Sequence, residues 1–162
     1  MALVDTLHPY YNLPSDVFIR AQDELIGYTR KTVSLTATAG TVVQIGTVLV
    51  DNDDGTASIP ANAAALAAAT KVCIFLGRDI VKTNYTLGNQ QHNIAKFDAA
   101  NLTQDIVVVW RGAVGVGKVN LILPSGFTNT QKNALYKLME QVNGFKMLRQ
   151  VGAYPFEQSF IQ

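Results

Sequence analysis

The most informative segment of the chain is DIVVVWRGAVGVGKVNLILP, residues 105–124. It contains two apolar runs of strand length, DIVVVW and VNLILP, separated by a segment rich in glycine. Its centre, residues 112–119, also satisfies G-x-x-x-x-G-K, the pattern that begins a phosphate-binding loop. The first question is therefore whether this segment binds a phosphate or simply joins two strands.

Two properties of the segment argue against a phosphate-binding loop. Such a loop ends in Ser or Thr, whose hydroxyl binds magnesium, but Val119 stands at that position. It must also open a helix whose free N–H groups face the anion, whereas an apolar run closed by Pro124 and Gly126 follows here. The pattern G-x-G-x-x-G fails as well, because Asn120 stands where the third glycine belongs. The sequence therefore predicts two strands joined by a glycine-rich turn or bulge.

The composition limits the classes of partner. A chain of 162 residues suits one domain, which buries about 70% of its unfolded surface. Its net charge of +1 predicts no long-range attraction to nucleic acid or to an anionic membrane. Only 15% of the residues are charged and 48% are hydrophobic, which indicates a surface partly covered by other subunits. We expect protein partners, without direct contact to nucleic acid or membrane.

Cysteine content and the N-terminal region indicate where the chain is made. Cys73 is the single cysteine, so no internal disulfide indicates export to an oxidising compartment. No Lys or Arg precedes Arg20, unlike a signal peptide, and no apolar run approaches the ~18 residues that span a bilayer. We expect a soluble protein made in the cytoplasm.

Residues 1–30 are predicted to form an extended N-terminal arm. Pro9 and Pro14 are incompatible with a continuous helix or a central strand in this segment, and two tyrosines lie between them. Within the arm, Ser15 as a cap and Gly27 as a stop favour one short helix.

A β-rich region follows the arm. Residues 31–50 are rich in Val, Thr and Ile, with glycines as punctuation. The motif DNDDG at 51–55 predicts a turn, because an EF-hand loop starting there would have Gly at position 5 and Asn62 at position 12. A loose calcium site outside the EF-hand pattern stays open. Small residues at 61–70 favour one or two helical turns or a packed connection before the strand at 72–76.

The C-terminal part contains one clear helix, at about 129–142. Thr128 and Gln131 form a capping box before it, and Asn143 and Gly144 provide a left-handed stop. Apolar positions at spacings of one, three and four are expected to pack on the sheet: Ala134, Leu135, Leu138, Met139 and Val142. The sequence predicts a final strand at residues 145–151.

No pattern in the sequence is typical of an active site. His8 and His92 have no Cys, His or carboxylate at metal-ligand spacing. Cys73 lies in the apolar run KVCIFL, which favours a core thiol over a reactive nucleophile. Ser125 lies in PSGF, a turn, and no G-x-S-x-G elbow occurs. We therefore expect no catalytic, cofactor or metal site.

One binding-module alternative stays open. Residues 39–50 are similar to the opening of biotinyl and lipoyl carrier domains, in which a modified lysine stands at a hairpin tip. Here the candidate Lys71 lies at the start of an apolar strand instead. The long C-terminal helix also has no place in that design.

Residues from about 36 to 151 resemble the head decoration proteins of tailed phages, of the lambda type. The resemblance lies in the order of TVLV before an Asp-Gly turn, small residues before VCIFL, the run VVVWRGAVGVGKVNLILP, the capped helix and FKMLRQV. The turn at 111–112 and the run at 121–124 carry most of it. The sequence departs from the family in its arm, in the longer region 77–105 and in the extra tail beyond residue 151.

The resemblance implies a mainly β (α+β) fold, a compact β-barrel or β-sandwich-like domain with one C-terminal amphipathic helix. We place this domain at 31–151, after the arm at 1–30 and before a tail at 152–162. It implies a capsid-stabilising cement protein, not an enzyme and without cofactor, on the outer surface of the virion. Its partners would be the major capsid protein and its own copies, as a homotrimer at three-fold positions of an icosahedral shell.

The family's arm adds a strand to capsid-protein segments by β-augmentation, and aromatic anchors suit that task. The expected capsid-binding residues are Leu7, His8, Pro9, Tyr10, Tyr11, Leu13 and Pro14. The tail is too apolar for a free end, so three of its aromatics are expected to contact a neighbouring subunit or the core: Tyr154, Phe156 and Phe160. A phage tail or fibre accessory protein that assembles through β-rich surfaces is the main alternative.

Overall fold

Five short strands rich in β-branched residues close into a small barrel. The computed structural model describes residues 18–19, 29–78 and 94–149. A three-stranded sheet, a two-stranded sheet and a capped helix lie beside the barrel. The predicted mainly β fold with one C-terminal amphipathic helix is confirmed.

The described elements follow one another along the chain as β1 (Phe18–Ile19), β2 (Arg30–Thr36), β3 (Val42–Gln44), β4 (Val48–Asp51), β5 (Thr56–Ser58), α1 (Ala63–Ala67), β6 (Val72–Arg78), β7 (Ile94–Lys96), β8 (Thr103–Val109), β9 (Gly115–Gly117), a 3₁₀ turn (Lys118–Asn120), α2 (Asn129–Leu138), a π turn (Met139–Asn143) and β10 (Lys146–Leu148). The three strands β2–β4 confirm the β pattern predicted for residues 31–50, and α1 confirms the helical option for residues 61–70.

The barrel is closed by one parallel pair among antiparallel ones. Strand β2 runs antiparallel to β8 over its whole length, from Arg30 opposite Val109 to Thr36 opposite Thr103. On its other side β2 pairs in parallel with β5, and β5, β4, β6 and β8 continue antiparallel. Because the sheet closes into a barrel, it has no free edge strand. The backbone N–H and C=O groups of each strand therefore bond to those of the strands beside it.

The alternation along the strands fills the barrel with apolar side chains. In β2, Val33 and Leu35 point inward while Thr32 and Thr36 are exposed. The largest side chains that are fully buried come from several elements: Leu35, Ile45, Leu49, Leu66, Ile74, Phe75, Ile106 and Met139. Cys73 belongs to this core, as predicted, and burial raises the pKa of its thiol to about 12. A thiol in that state does not act as a nucleophile at neutral pH.

The glycine-rich segment turns as predicted, but the second predicted strand is wrong. Gly112 has φ 95, in the left-handed region, and the glycines themselves form β9. Lys118–Asn120 is a 3₁₀ turn, and of the run 119–124 only Ile122 makes a bridge, parallel to Thr47. All three residues of β9 are buried between β1 and β10; Val116 belongs to the apolar core, and the glycines on either side of it have no side chain to obstruct the neighbouring strands.

The start of α2 has the predicted capping box. The Thr128 hydroxyl accepts a 3.2 Å hydrogen bond from the Gln131 N–H, and the Gln131 side chain accepts one of 2.9 Å from the Thr128 N–H. The left-handed stop is also confirmed, since Gly144 has φ 75.

The apolar face predicted for the helix is only partly correct. Leu135 and Met139 are buried as expected, and Leu138 packs against the core. Ala134 is exposed and Val142 is 50% exposed, whereas the polar Asn143 is buried. The π turn after Leu138 explains the last two positions, because its wider winding rotates Val142 and Asn143 away from the helical register. Ala134 precedes this turn and lies on the exposed side of α2.

Strand β1 lies inside the predicted arm. Phe18 pairs with Val116 and Ile19 with Gly115, so the short helix predicted between Ser15 and Gly27 is wrong at these two positions. Pairing with β9 satisfies the backbone of Phe18–Ile19 in place of helical hydrogen bonds. At the end of the arm, Thr29 is buried and Arg30 begins β2, whereas arm residues 1–17 and 20–28 lie outside the described ranges.

Candidate functional site

Both terminal segments join the described structure at one end of the sheet β1-β9-β10. Strand β10 runs parallel to β9, with Lys146 opposite Gly115 and Leu148 opposite Gly117. Strand β1 runs antiparallel to β9, so the chain enters it from the Gly117 end. The segment before Phe18 and the segment after β10 therefore both connect at the end of the sheet where β9 finishes.

An open groove of 830 Å³ lies at this end of the sheet. Lys118 and Val119 of the 3₁₀ turn form one side, Lys132 and Tyr136 of α2 form another, and Arg149 follows β10. We call these five residues and their apolar floor the basic groove. The floor residues are Leu121, Leu123, Pro124 and Phe127.

The sequence places each of these side chains through local geometry. Lys132 and Tyr136 are four residues apart on α2, which puts them on the same helix face. Lys118 directly follows the buried strand β9, so its position is fixed by the sheet. Gly126, with φ 78, turns the chain between the floor and the helix. The groove is thus built by a strand end, a turn and a capped helix.

The groove has a strongly positive lining. The Lys118 Nζ lies 5.0 Å from the centroid of the Tyr136 ring, a cation–π contact. Burial raises the pKa of the Tyr136 hydroxyl, which therefore stays a neutral hydrogen-bond donor at physiological pH. None of the groove residues is acidic. Three positive side chains, Lys118, Lys132 and Arg149, thus face one cavity, which suits an anionic ligand.

A second charged cluster lies on the barrel and is internally paired. The Lys31 Nζ lies 2.8 Å from Oδ1 and 2.6 Å from Oδ2 of Asp51, whose side chain is 3% exposed. The same Nζ lies 4.6 Å from the centroid of the Trp110 ring, and the Arg111 guanidinium lies 4.1 Å from that centroid. The cluster joins β2, β4 and the segment after β8, so it reinforces the barrel.

The Asp-Gly turn at 51–55 is confirmed, with positive φ at Asp53 and Gly55. Its carboxylates bond within the protein: Asp53 to Lys71, and Asp54 to the hydroxyl and N–H of Thr56, which lowers the pKa of Asp54. In the ranges that the structure describes, no group of three His, Cys, Asp or Glu side chains could hold a metal ion.

Most of the predicted site residues lie outside the described ranges. These are the arm residues Leu7, His8, Pro9, Tyr10, Tyr11, Leu13 and Pro14, the tail residues Tyr154, Phe156 and Phe160, and His92. Their assigned contacts therefore stay predictions. Lys71, the candidate for the carrier alternative, is exposed between α1 and β6, and its bond to Asp53 raises its pKa.

The basic groove was missed by reasoning from the sequence. In the sequence, Lys118 was interpreted only as the lysine of a phosphate-loop pattern, and Arg149 only as part of a final strand. The pair Lys132 and Tyr136, on the polar side of a capped helix, was the signal that local reasoning could have used. Their convergence with Lys118 and Arg149 requires the pairing of β9 with β10, which is not local.

A scan against protein-family models, a search of curated proteins and a search of solved structures found no match.

None of the helices in the described part of the chain is long and apolar enough to cross a membrane.

Proposed function

We propose that the chain is a structural virion protein that decorates the outer surface of an icosahedral phage capsid and stabilises it by bridging capsid subunits. One observation carries the proposal: both terminal segments join the protein at the same end of the sheet β1-β9-β10, beside the basic groove. A closed barrel whose two terminal segments connect on one side suits a protein that is attached to a surface. The resemblance to lambda-type decoration proteins supports the same reading.

The pairing of β1 suggests how the arm works. The barrel is closed, so its strands leave no edge for a partner, whereas β1 is the outer strand of its sheet in the described residues. Residues 1–17 precede it and span at most about 60 Å when fully extended. In the proposal, this segment reaches a capsid protein and adds a strand to it, and main-chain hydrogen bonds supply the affinity.

Stabilisation follows from contacts at several points. In the proposal, the chain assembles as a homotrimer, and its arms and base bind neighbouring capsid subunits at once. Several weak contacts on one rigid lattice gain avidity, because each bound arm raises the effective concentration of the next. The shell then resists rupture under the outward pressure of packed DNA, and no substrate is turned over.

Sedimentation with mature phage heads that lack their decoration protein tests the proposal. The full chain is expected to pellet with the heads, and a variant without residues 1–14 is expected to stay in the supernatant. This deletion ends before β1, so the barrel should remain folded, which circular dichroism checks. Full binding by the folded, truncated protein would refute the assignment of the arm, and no binding by the full chain would refute the function.

A further inference from the structure

The cations of the basic groove differ from Lys31 and Lys71, the two lysines on the barrel side that have an acidic partner. Lys31 and Lys71 each form an ion pair with an aspartate. Lys118, Lys132 and Arg149 have no carboxylate within ion-pair distance in the part of the chain that the structure describes. Like charges that converge without an anion repel one another, so the arrangement favours an external anionic ligand.

Apolar surface accompanies these charges. Val119 is 65% exposed at the rim of the groove, although it is a large aliphatic residue. Leu123 and Pro124 on the floor are half-buried. A small inorganic anion would leave this surface uncovered, whereas a ligand with both carboxylates and apolar side chains would cover it.

We propose that the basic groove binds an extended acidic segment of a partner protein. Carboxylates of the segment bond to Lys118, Lys132 and Arg149, and the planar guanidinium of Arg149 accommodates a carboxylate with two parallel hydrogen bonds. Apolar side chains of the same segment pack on Val119 and the groove floor. The identification of the partner as the capsid protein rests on the proposed function. The chemistry of the ligand rests only on the residues of the groove.

A protein segment fits the groove better than a nucleic acid. Binding to a single strand uses aromatic rings on which bases stack, but the Tyr136 ring is already in contact with the Lys118 ammonium. A nucleic acid ligand also requires an extended positive field, and the chain has a net charge of only +1. Three cations around an apolar floor instead match a short segment in which acidic and apolar residues alternate.

Fluorescence anisotropy of the full chain with a labelled synthetic peptide, Leu-Glu-Leu-Glu-Tyr-Glu-Leu, tests the proposal at low salt. The matched probe has Gln in place of each Glu. We expect the acidic peptide to bind at least tenfold more tightly than the Gln peptide, and the variant Lys118→Gln/Lys132→Gln to lose about tenfold in affinity. Lys137→Gln is the matched control, because Lys137 lies exposed on α2 outside the groove and should keep full affinity.

Three results would overturn the proposal: no measurable binding of the acidic peptide, equal binding of the Gln peptide, or unchanged affinity in the folded double variant. Tighter binding of a thymidine oligonucleotide than of the acidic peptide would overturn it in favour of a nucleic acid ligand. Thermal unfolding of each variant shows that the comparison is made between folded proteins.

The sedimentation assay with phage heads separates this inference from the proposed function. If the full chain binds heads and the double variant binds them equally well, the capsid protein does not use the groove, and the proposed function stands. If the full chain binds the acidic peptide but no heads, the proposed function falls, and the groove remains a site for an acidic segment.

Discussion

The side-chain amide of Asn143 donates a 2.8 Å hydrogen bond to the backbone carbonyl of Val72, 71 positions earlier in the chain. The same amide donates to the carbonyl of Trp110. Val72 begins β6 and Trp110 follows β8, so one side chain joins the π turn to two neighbouring barrel strands. The backbone of Asn143 also accepts a 2.8 Å hydrogen bond from Gly112. These bonds fix the end of α2, and thereby one wall of the basic groove, against the barrel.

Replacing this amide should destabilise the fold. Asn143→Ala leaves two carbonyls without their donor in a buried site, which costs roughly 2–3 kcal/mol of unfolding free energy. Urea denaturation measures the loss. Gln141→Ala on the same turn is the control, because Gln141 is exposed and its change should stay within about 0.5 kcal/mol. Equal effects of the two substitutions would contradict this role of Asn143.

The ion pair between Lys31 and Asp51 should contribute to stability because its carboxylate is buried. Lys31→Met keeps the aliphatic stem but, within the described part of the chain, leaves the buried Asp51 carboxylate with a single hydrogen bond, the 3.2 Å bond from the Asp53 N–H. We expect a loss of roughly 2–4 kcal/mol in urea denaturation. The exposed Lys96→Met on β7 should change little. A loss below about 0.5 kcal/mol for Lys31→Met would show that the pair is dispensable.

The buried thiol of Cys73 should make stability depend on alkaline pH. Its pKa is raised by burial from 9.0 to about 12, so below pH 9 both folded and unfolded states keep the proton and the thiol has no effect on stability. Above pH 9 the unfolded state releases the proton while the folded state retains it, which lowers the unfolding free energy by about 1.4 kcal/mol at about pH 10.

Comparison with Cys73→Ala isolates this effect from other titrating groups. Denaturation at about pH 8 and about pH 10 gives the stability difference between the wild type and the variant, and this difference should shift by about 1.4 kcal/mol in favour of the variant at the higher pH. A difference that does not change with pH would mean that the thiol ionises equally in both states.

The capping box should set the stability of α2 and hence of the groove wall. Thr128→Ala removes the acceptor for the Gln131 N–H and should cost about 1 kcal/mol of unfolding free energy. Thr130→Ala, in the first turn of the same exposed helix face, is the matched control and should change the stability little. If both substitutions have the same effect, the cap does not contribute as the geometry indicates.

Features that depend on neighbours along the chain could be predicted from the sequence. The capping box at Thr128, the Asp-Gly turn at 51–55 and the strand pattern of residues 31–50 all rest on local chemistry. The buried Cys73 followed from its apolar neighbours. Each of these depends on hydrogen bonds or side-chain periodicity within a few residues, which a single sequence contains.

Features that depend on distant pairing could not be predicted. The parallel pairing of β2 with β5 closes the barrel, and no local pattern encodes it. Asn143 was assigned only to a helix stop, because the π turn that carries it into the core is not visible in helical periodicity. The basic groove depends on Lys118, Lys132 and Arg149, which meet only after β9 and β10 have paired.

Electron microscopy of phage particles that carry the gold-labelled chain tests the central claim most directly. The proposal predicts label distributed over the outer surface of mature heads, at regular lattice positions, and absent from tails. Label confined to tails or fibres would support the accessory-protein alternative and contradict decoration of the head, as would intact particles whose shells contain none of this polypeptide.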